Sequence, residues 1–217
     1  MCRRPASTIA TRKPEAICRY DHAMATDPDT LPLPHLDCGV ALLRPWRGED
    51  LESLVANASH ADVSRGLRDR FPYPYTGDDG RAWLARAIDE NDRSWAIEID
   101  GAAVGGVGLT LGSDVRRYSA ELGYWLGRRH WGRGIMSAAL GAFVEPALGA
   151  FRLHRIYATV YANNPASMRV LEKVGFEREG VQKSAVVKRG ELLDIIVYAR
   201  TRDRLDAGGP AAAVLQQ

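Results

Sequence analysis

The stretch "GYWLGRRHWGRGIMSAALGAF", residues 123–143, places a turn with two glycines between a strand-like run and a helix-like run. Aromatic and aliphatic residues up to Leu126 indicate a strand, and the apolar residues after Gly134 have helical spacing. The first amides of a helix have no hydrogen-bond partner inside the helix and lie at the positive end of its dipole. A strand that leads through this turn into a helix therefore predicts a site for a phosphate group.

The residues of the turn itself favour such an anion. Gly132 and Gly134 carry no side chain that would keep a phosphate from the backbone amides. Arg128, Arg129 and Arg133 add positive charge beside them. Two familiar phosphate motifs do not match this turn. The Gly-Lys-Ser/Thr of a nucleotide P-loop is absent. A dinucleotide fingerprint should follow the first strand of its unit, whereas several predicted strands precede this turn.

The chain as a whole predicts an α+β domain around one mixed sheet, in the order strand, two helices, three strands, helix, strand, helix and further strands. The dipeptide Asp100–Gly101 is typical of a tight hairpin. An isolated Gly123 inside a strand indicates a bulge or a close backbone approach. Capping-box spacing between Thr76 and Asp79 predicts that the second helix begins after Thr76. Pro146 is expected to interrupt the helix that follows the glycine turn, near its end.

Composition indicates a single domain. The chain has 217 residues, of which 46% are hydrophobic, and this suffices for one buried core but is short for two. We predict a folded domain over residues 38–204 and a disordered N-terminal tail over residues 1–37, rich in Pro, Thr, Asp and Arg. Residues 205–217 are expected to form a flexible C-terminal tail. Met24 is an alternative to Met1 as the start of the chain.

Charge and cysteine content narrow the environment. The net charge of +2 comes from nearly balanced acids and bases, which predicts neither a nucleic-acid partner nor a membrane partner. Cys2, Cys18 and Cys38 are the three cysteines, and their odd number and wide spacing fit neither a disulfide framework nor a zinc site. None of the histidines has metal-ligand spacing to another, so no metal is predicted. A reducing, cytoplasmic compartment is therefore expected.

The run Arg-His-Trp-Gly-Arg-Gly has the form Arg/Gln-x-x-Gly-x-Gly and resembles the acetyl-coenzyme A pyrophosphate motif of the GNAT N-acetyltransferases. "SAELGYWLG" is similar to the fourth strand of that fold, and "NNPASMRVLEKVGFEREG" resembles its second cofactor segment. "FPYPYTGDDGRAWL" and "LLDIIVYAR" resemble the RimJ/RimL-like branch, whose name refers to ribosomal-protein N-terminal acetyltransferases. The resemblance spans roughly Val40 to Arg204, and joint agreement makes it specific. The matching segments are residues 129–134, 119–127, 163–180, 71–84 and 192–200.

The resemblance implies a single GNAT-like domain with a mixed twisted sheet, a splayed central strand pair and about four flanking helices. Acetyl-coenzyme A would be the cofactor, with coenzyme A as the product and no metal. Its pantetheine arm would enter the V-shaped opening between the splayed strands, where strand backbone positions the thioester. The residues expected to bind the cofactor are Trp125, Leu126, Arg129, Trp131, Gly132, Arg133, Gly134, Ile135, Met136 and Asn164.

Two residues are candidates for the proton transfers of amine acetylation. Glu121 is the candidate base, because its strand directs residues at the opening and the branch commonly carries an acid here. Ser167 would lie near the sulfur, where its hydroxyl could protonate the leaving thiolate. Both have structural alternatives, since Glu121 can be an ordinary strand carboxylate and Asn164 with Ser167 can simply cap a helix. A further glutamate that some relatives use as base is absent, because Val186 occupies that position.

The resemblance implies an N-acetyltransferase in which a bound amine attacks the thioester directly in a ternary complex. Phe71, Tyr73 and Tyr75 are expected to form one wall of the acceptor site, although proline-spaced aromatics can also anchor a loop. The acceptor is either a protein N-terminal α-amine, of which roughly one in seven is neutral at pH 7, or a small-molecule amine. The alternative is a non-catalytic acyl-coenzyme A sensor, and the presence of both Glu121 and Ser167 favours the enzyme. A homodimer is also compatible with the resemblance.

Overall fold

The computed structural model describes residues 33, 35–89 and 93–202 of the chain. The predicted C-terminal tail, most of the predicted N-terminal tail and Met24 lie outside the described residues. Packing begins before the predicted boundary at residue 38, because Leu33 is fully buried. Its carbonyl accepts a hydrogen bond of 2.6 Å from the indole of Trp95, which ties this segment to the core.

The described part of the chain contains eight strands and five helices, which confirms the predicted α+β class. Three short 3₁₀ turns accompany them. One short helix, α2, and one two-residue strand, β1, have no counterpart in the sequence prediction. The elements are β1 (Leu36–Asp37), β2 (Leu42–Pro45), α1 (Leu51–Ala58), α2 (Ala61–Arg65), α3 (Gly77–Asp89), β3 (Ser94–Ile99), β4 (Ala102–Leu111), β5 (Ser119–Leu126), α4 (Ile135–Ala150), β6 (Arg155–Tyr161), α5 (Pro165–Lys173), β7 (Glu177–Lys188) and β8 (Glu191–Thr201).

The strands form one mixed sheet in the order β1-β2-β3-β4-β5-β6-β8-β7. Strands β5 and β6 are parallel neighbours, and all other neighbours are antiparallel. Their pairing covers only Ser119–Glu121 of β5 against 155–157 of β6. Beyond Glu121 the two strands separate, so the middle of the sheet has the V-shaped opening that the resemblance implies.

Helices cover both faces of the sheet and bury two apolar clusters. Helix α4 packs on one face, where Phe143, Leu140 and Trp95 belong to the larger cluster. Helices α1 and α3 cover the other face through a smaller cluster that includes Leu54 and Leu84. Burial of these side chains supplies the main favourable free energy of the fold. Within the described residues, no helix is long and apolar enough to cross a membrane.

Two local predictions are confirmed. Asp100 and Gly101 join β3 to β4 with φ values of 50° and 80°, the left-handed conformations that a two-residue hairpin turn requires. Helix α3 begins at Gly77, directly after Thr76. The Thr76 hydroxyl accepts from the Asp79 amide at 3.2 Å, and the Asp79 carboxylate accepts from the Thr76 amide at 2.8 Å. Both signals are local, so neither depends on the rest of the fold.

The bulge alternative at Gly123 and the prediction for Pro146 are wrong. Gly123 pairs regularly with Gly108, so β5 has no bulge there, and the irregularity in this region lies between Ile97 and Glu98 of β3. Helix α4 does not stop at Pro146 but continues to Ala150. Proline removes one helical hydrogen bond, and we attribute the continuation to the buried apolar residues that flank it in α4.

Candidate active site

The main chain of β5 presents polar groups to the opening between the strands. Hydrogen bonds of 2.8 Å from the Gly127 amide to the Val104 carbonyl and from the Gly112 amide to the Ser119 carbonyl fix the β4–β5 ladder. In an antiparallel ladder, successive residues direct their amides and carbonyls alternately toward and away from the partner strand. The main chain of Trp125 is therefore directed toward β4.

That alternation changes which backbone groups are available for a ligand. The polar groups of Tyr124 and Leu126 face the opening, whereas those of Trp125 are used in the sheet. The Leu126 carbonyl already accepts a hydrogen bond of 2.7 Å from the indole of Trp131. The Leu126 prediction is thus compatible with the geometry, while the backbone role predicted for Trp125 falls to Tyr124.

The glycine turn has the geometry of an anion site. Gly132 and Gly134 have φ values of 73° and 76°, a region that L side chains rarely adopt, and Gly134 is the N-cap of α4. A Cβ built at either position would have no described atom within 4 Å apart from its chain neighbours. The Ala138 amide bonds to the Gly134 carbonyl at 3.0 Å, which leaves the amides of residues 135–137 without helical partners.

The predicted basic residues of the turn surround this cradle without lining its floor. Arg129 and Arg133 are exposed. The Arg128 guanidinium lies 4.9 Å from the centre of the Trp131 ring and 3.4 Å from the Asp62 carboxylate. Trp131 lines the cleft with 40% of its surface exposed. Arginines at the rim add positive potential, and the backbone amides supply the directional contacts.

Helix α5 begins as predicted and places Ser167 against the opening. Pro165 is the first helical residue, and the Asn164 side-chain oxygen accepts a hydrogen bond of 3.2 Å from the Ser167 amide. The Ser167 hydroxyl lies 2.6 Å from the hydroxyl of Tyr124. Burial raises the pKa of Tyr124 to about 12, and the hydrogen bond with Ser167 acts in the opposite direction. The two hydroxyls therefore form a pair that stays protonated at neutral pH.

Glu121 lies on the opposite face of the sheet, at the point where β5 and β6 separate. Its Oε1 accepts a hydrogen bond of 3.0 Å from the Thr159 hydroxyl of β6 and forms an ion pair with Arg68. The Glu121 side chain is 19% exposed and that of Arg68 is 54% exposed. A carboxylate is thus held at the end of the opening by one hydroxyl and one guanidinium.

The predicted aromatic wall is present in part. Phe71 stacks against Tyr75 at 4.9 Å and against Trp125 at 5.4 Å between ring centres, and all three line the cleft. Tyr73 does not line the cleft. It is 52% exposed and lies under the guanidinium of Arg189, 5.7 Å from the ring centre. Of the three predicted aromatic residues, Tyr73 is thus the one that the structure does not bring into the cleft with the other two.

A cleft of about 900 Å³ joins the glycine turn, the opening and the aromatic wall. The cross-strand pair Gly108 and Gly123 forms part of its lining without side chains. Three buried polar atoms that have no hydrogen-bond partner among the described residues belong to residues lining this cleft: Trp46 Nε1, Ser94 Oγ and His130 Nδ1. Each of these atoms has almost no exposed surface, so a ligand or water in the cleft can reach it only if the neighbouring side chains move.

His130 also lines the cleft, and the sequence did not indicate this. Burial lowers the pKa of His130, and the charges of Arg133 and Arg129 lower it further. A neutral imidazole is therefore expected beside the turn. In residues 33, 35–89 and 93–202, no group of three or more His, Cys, Asp or Glu side chains is arranged to hold a metal ion.

Sequence reasoning missed three side chains around the opening, namely Tyr124, Arg68 and Thr159. Strand alternation places Tyr124 on the face opposite Glu121, but the sequence gives no signal for the contact of its hydroxyl with Ser167. Arg68 lies in the "RDRFPYPYT" segment that predicted the acceptor wall, and its charge next to the aromatics was an available signal. Nothing local to Thr159 indicated its contact with Glu121, which depends on the parallel pairing of β5 and β6.

Comparison with known proteins identifies the family of the chain. The sequence profile of the acetyltransferase (GNAT) domain matches residues 41–177. The chain is 30% identical over 176 residues to YoaA, an uncharacterized N-acetyltransferase of Bacillus subtilis (strain 168), and the match covers 79% of this chain and 98% of that protein. The chain therefore belongs to the GNAT acetyltransferase family and is an N-acetyltransferase.

Two further proteins are similar to the chain. The chain is 32% identical over 122 residues to AaaT, an L-amino acid N-acetyltransferase of Escherichia coli (strain K12), which covers 55% of this chain and 75% of that protein. It also resembles the structure of Mycobacterium smegmatis RimJ in complex with CoA-disulfide. That structure aligns with a TM-score of 0.63 and 30% identity, covering 80% of this chain and 88% of the other.

Proposed function

We propose that this protein transfers the acetyl group of acetyl-coenzyme A to a primary amine, by direct attack in a ternary complex. The observation that carries the proposal is the single cleft in which an anion cradle, a gap in the sheet and a carboxylate follow one another. Two relatives support the donor and the acceptor of this proposal separately. RimJ binds a form of coenzyme A, and AaaT is named as an L-amino acid N-acetyltransferase.

The residues of the cleft fit coenzyme A. The amides of residues 135–137 and the space beside Gly132 and Gly134 suit a diphosphate. The imidazole of His130, whose pKa is lowered by burial and by the neighbouring arginines, lies in the same turn. The main chain of Tyr124 and the Leu126 amide face the gap, where an extended pantetheine arm can pair like an added strand. When bound, acetyl-coenzyme A supplies an acetyl group activated as a thioester.

Glu121 and Ser167 are suited to opposite proton transfers because they approach the gap from opposite faces of the sheet. Glu121 accepts the proton of the attacking amine, directly or through a water molecule, while Thr159 holds its carboxylate in place. The Ser167 hydroxyl donates a proton to the departing sulfur, and Tyr124 can return one across the 2.6 Å contact between the hydroxyls. Val186 lies opposite Leu193 in the β7–β8 hairpin, so that position offers no alternative base.

Positioning is expected to supply most of the rate enhancement. A cleft that holds both reactants converts a bimolecular reaction into one within a complex, which is worth up to about 7–11 kcal/mol in well-oriented cases. Acid and base groups add smaller factors, typically about 10²–10⁴. No covalent acetyl-enzyme is required, since Cys38, the cysteine in the described residues, does not line the cleft.

Measuring thiol release from acetyl-coenzyme A with a panel of amines tests the proposal. The panel contains amino acids, short peptides with free N-termini, polyamines and an aminoglycoside, and coenzyme A binding is measured in parallel by calorimetry. We expect at least one amine to accelerate thiol release well above hydrolysis, with formation of its N-acetyl derivative. Tight coenzyme A binding without amine-dependent release for any acceptor would favour the sensor instead.

A further inference from the structure

We propose that the acceptor is a free α-amino acid whose carboxylate binds Arg68 while its amine lies against Glu121. This inference rests on the proposed function and narrows it from primary amines to one substrate class. It assigns Arg68 as the residue that determines specificity.

The basis is the pairing of opposite charges at the mouth of the gap. The guanidinium of Arg68 is in direct contact with the Oε1 atom of Glu121. Glu121 is fixed in β5 and held by Thr159, whereas Arg68 lies in the loop after α2 with about half of its side chain exposed. Arg68 is therefore the partner with more freedom to move.

An α-amino acid carries the complementary pair of charges on one carbon atom. Its ammonium group can replace Arg68 as the ion-pair partner of Glu121. Its carboxylate can then pair with the guanidinium of Arg68. Arginine and carboxylate match in a two-bond geometry, which makes this contact strong and directional. Both protein charges stay paired throughout, so binding leaves no uncompensated charge behind. Glu121 is then placed to accept a proton from the amine.

The remaining charges near the acceptor wall also favour an anionic acceptor. Arg70 lines the cleft and has no hydrogen bond or ion pair with any described residue. Asp79 is occupied in capping α3 through Thr76. Asp69 forms an ion pair of 2.6 Å with Lys188. A polycation such as a polyamine or an aminoglycoside would meet unpaired positive charge here, whereas a carboxylate would neutralise it.

The cleft also has room for the side chain of an amino acid. Gly108 and Gly123 contribute no side chains to this region, and a Cβ at Gly123 would have no described atom within 4 Å. Phe71 and Trp125 supply an apolar surface beside this space. The buried Ser94 hydroxyl lines the same cleft and lacks a partner among the described residues. This space suits a side chain of moderate to large size.

A peptide N-terminus is a poorer match. Its first carbonyl belongs to an amide, so Arg68 would exchange the Glu121 carboxylate for a neutral acceptor and lose charge-assisted hydrogen bonding. Hydrogen bonds to charged groups contribute about 1.5–3 kcal/mol each, compared with about 1 kcal/mol for neutral pairs. A free carboxylate next to the amine is therefore expected to distinguish substrates.

The test compares the twenty L-amino acids by thiol release, and then the best of them with its carboxamide, its N-terminal dipeptide with glycine, and the amine that lacks the carboxylate. We expect the free acid to exceed each of the three analogues in kcat/KM by about 30-fold or more. In the Arg68→Gln variant the ratio of free acid to carboxamide should fall toward one, whatever happens to the separate values. Arg65→Gln is the matched control.

Arg65 is a suitable control because it is 62% exposed, pairs with Asp62 on α2 and does not line the cleft. Coenzyme A titration and thermal unfolding of both variants verify that the fold is intact. A carboxamide or dipeptide whose kcat/KM equals that of the free acid in the wild-type protein would overturn the inference. An unchanged ratio of free acid to carboxamide in the Arg68→Gln variant would show that Arg68 does not determine specificity. Failure of every amine to release thiol would instead reject the proposed function.

Discussion

Replacing Gly132 and Gly134 together by leucine is expected to raise the dissociation constant of coenzyme A at least about 100-fold. Leucine cannot easily keep the φ values of 73° and 76°, and its side chain occupies the space that a diphosphate needs. Losing two charge-assisted hydrogen bonds of about 1.5 kcal/mol each corresponds to this factor. Calorimetric titration of coenzyme A measures it.

The chain offers a matched control in Gly39→Leu with Gly101→Leu. These glycines have φ values of 76° and 80°, and a Cβ at either would have no described atom within 4 Å. Each replacement in either pair costs about 1–2 kcal/mol of stability through the left-handed backbone, so both double variants should lose similar amounts in thermal unfolding. Only the Gly132 and Gly134 pair should lose coenzyme A. Equal affinities in the two double variants would show that the turn is not the diphosphate site.

Removal of the hydroxyl pair is expected to have the largest effect on turnover. Ser167→Ala and Tyr124→Phe should each lower kcat by about 100-fold, the smaller end of the range for general acid catalysis. Because the two hydroxyls act as one unit, the double variant should lose little more than Ser167→Ala alone. The dissociation constant of coenzyme A should change only slightly. Initial rates at saturating acetyl-coenzyme A measure these effects.

The pH dependence provides a second measurement on the same variants. Burial raises the pKa of Tyr124 to about 12, so its hydroxyl stays protonated between about pH 7 and 10 and should produce no alkaline loss of activity there.

Tyr118→Phe is the control for the kcat measurements on the hydroxyl pair, since Tyr118 packs on His154 and does not line the cleft. Fully additive losses, or wild-type kcat in both single variants, would contradict the assignment of the hydroxyl pair.

The parts of the site that could be predicted from sequence are those set by a few neighbouring residues. Gly132 and Gly134 adopt positive φ directly before α4, so a short stretch of sequence determines the conformation of this turn. Asn164 caps α5 and thereby places Ser167 in its first turn. The hairpin at Asp100–Gly101 is local in the same sense. Recognition of the family then ordered these pieces into one fold.

The parts that could not be predicted depend on contacts between distant segments. Arg68 and Glu121 are 53 residues apart, and Tyr124 and Ser167 are 43 apart, so neither pair has a signal in sequence spacing. The choice between Tyr124 and Trp125 for backbone contacts needed the hydrogen-bond parity of β4 and β5, which sequence alone does not give. A shift of register by one residue would reverse that parity.

Burial accounts for the continuation of α4 past Pro146 and for the different positions of Tyr73 and Tyr75. Pro146 predicts the end of a helix when only local hydrogen bonding is considered. Ala147 and Leu148 directly after it are almost completely buried, so ending the helix early would expose apolar surface. Tyr73 shares a segment with Phe71 and Tyr75, but it is exposed while Tyr75 is buried. Composition of the segment predicted an aromatic wall, and only the fold selects which rings form it.

The most direct measurement for the whole account is titration of coenzyme A into ¹⁵N-labelled protein, followed by NMR. The central claim is that the main chain from Gly132 to Ser137 holds the diphosphate and that Tyr124 and Leu126 line the gap. We predict the largest amide shift changes at these residues, and a smaller change at Trp125, whose amide is bonded within the sheet. Saturable binding that leaves them unchanged and instead perturbs a distant element such as the β7–β8 hairpin would contradict the account.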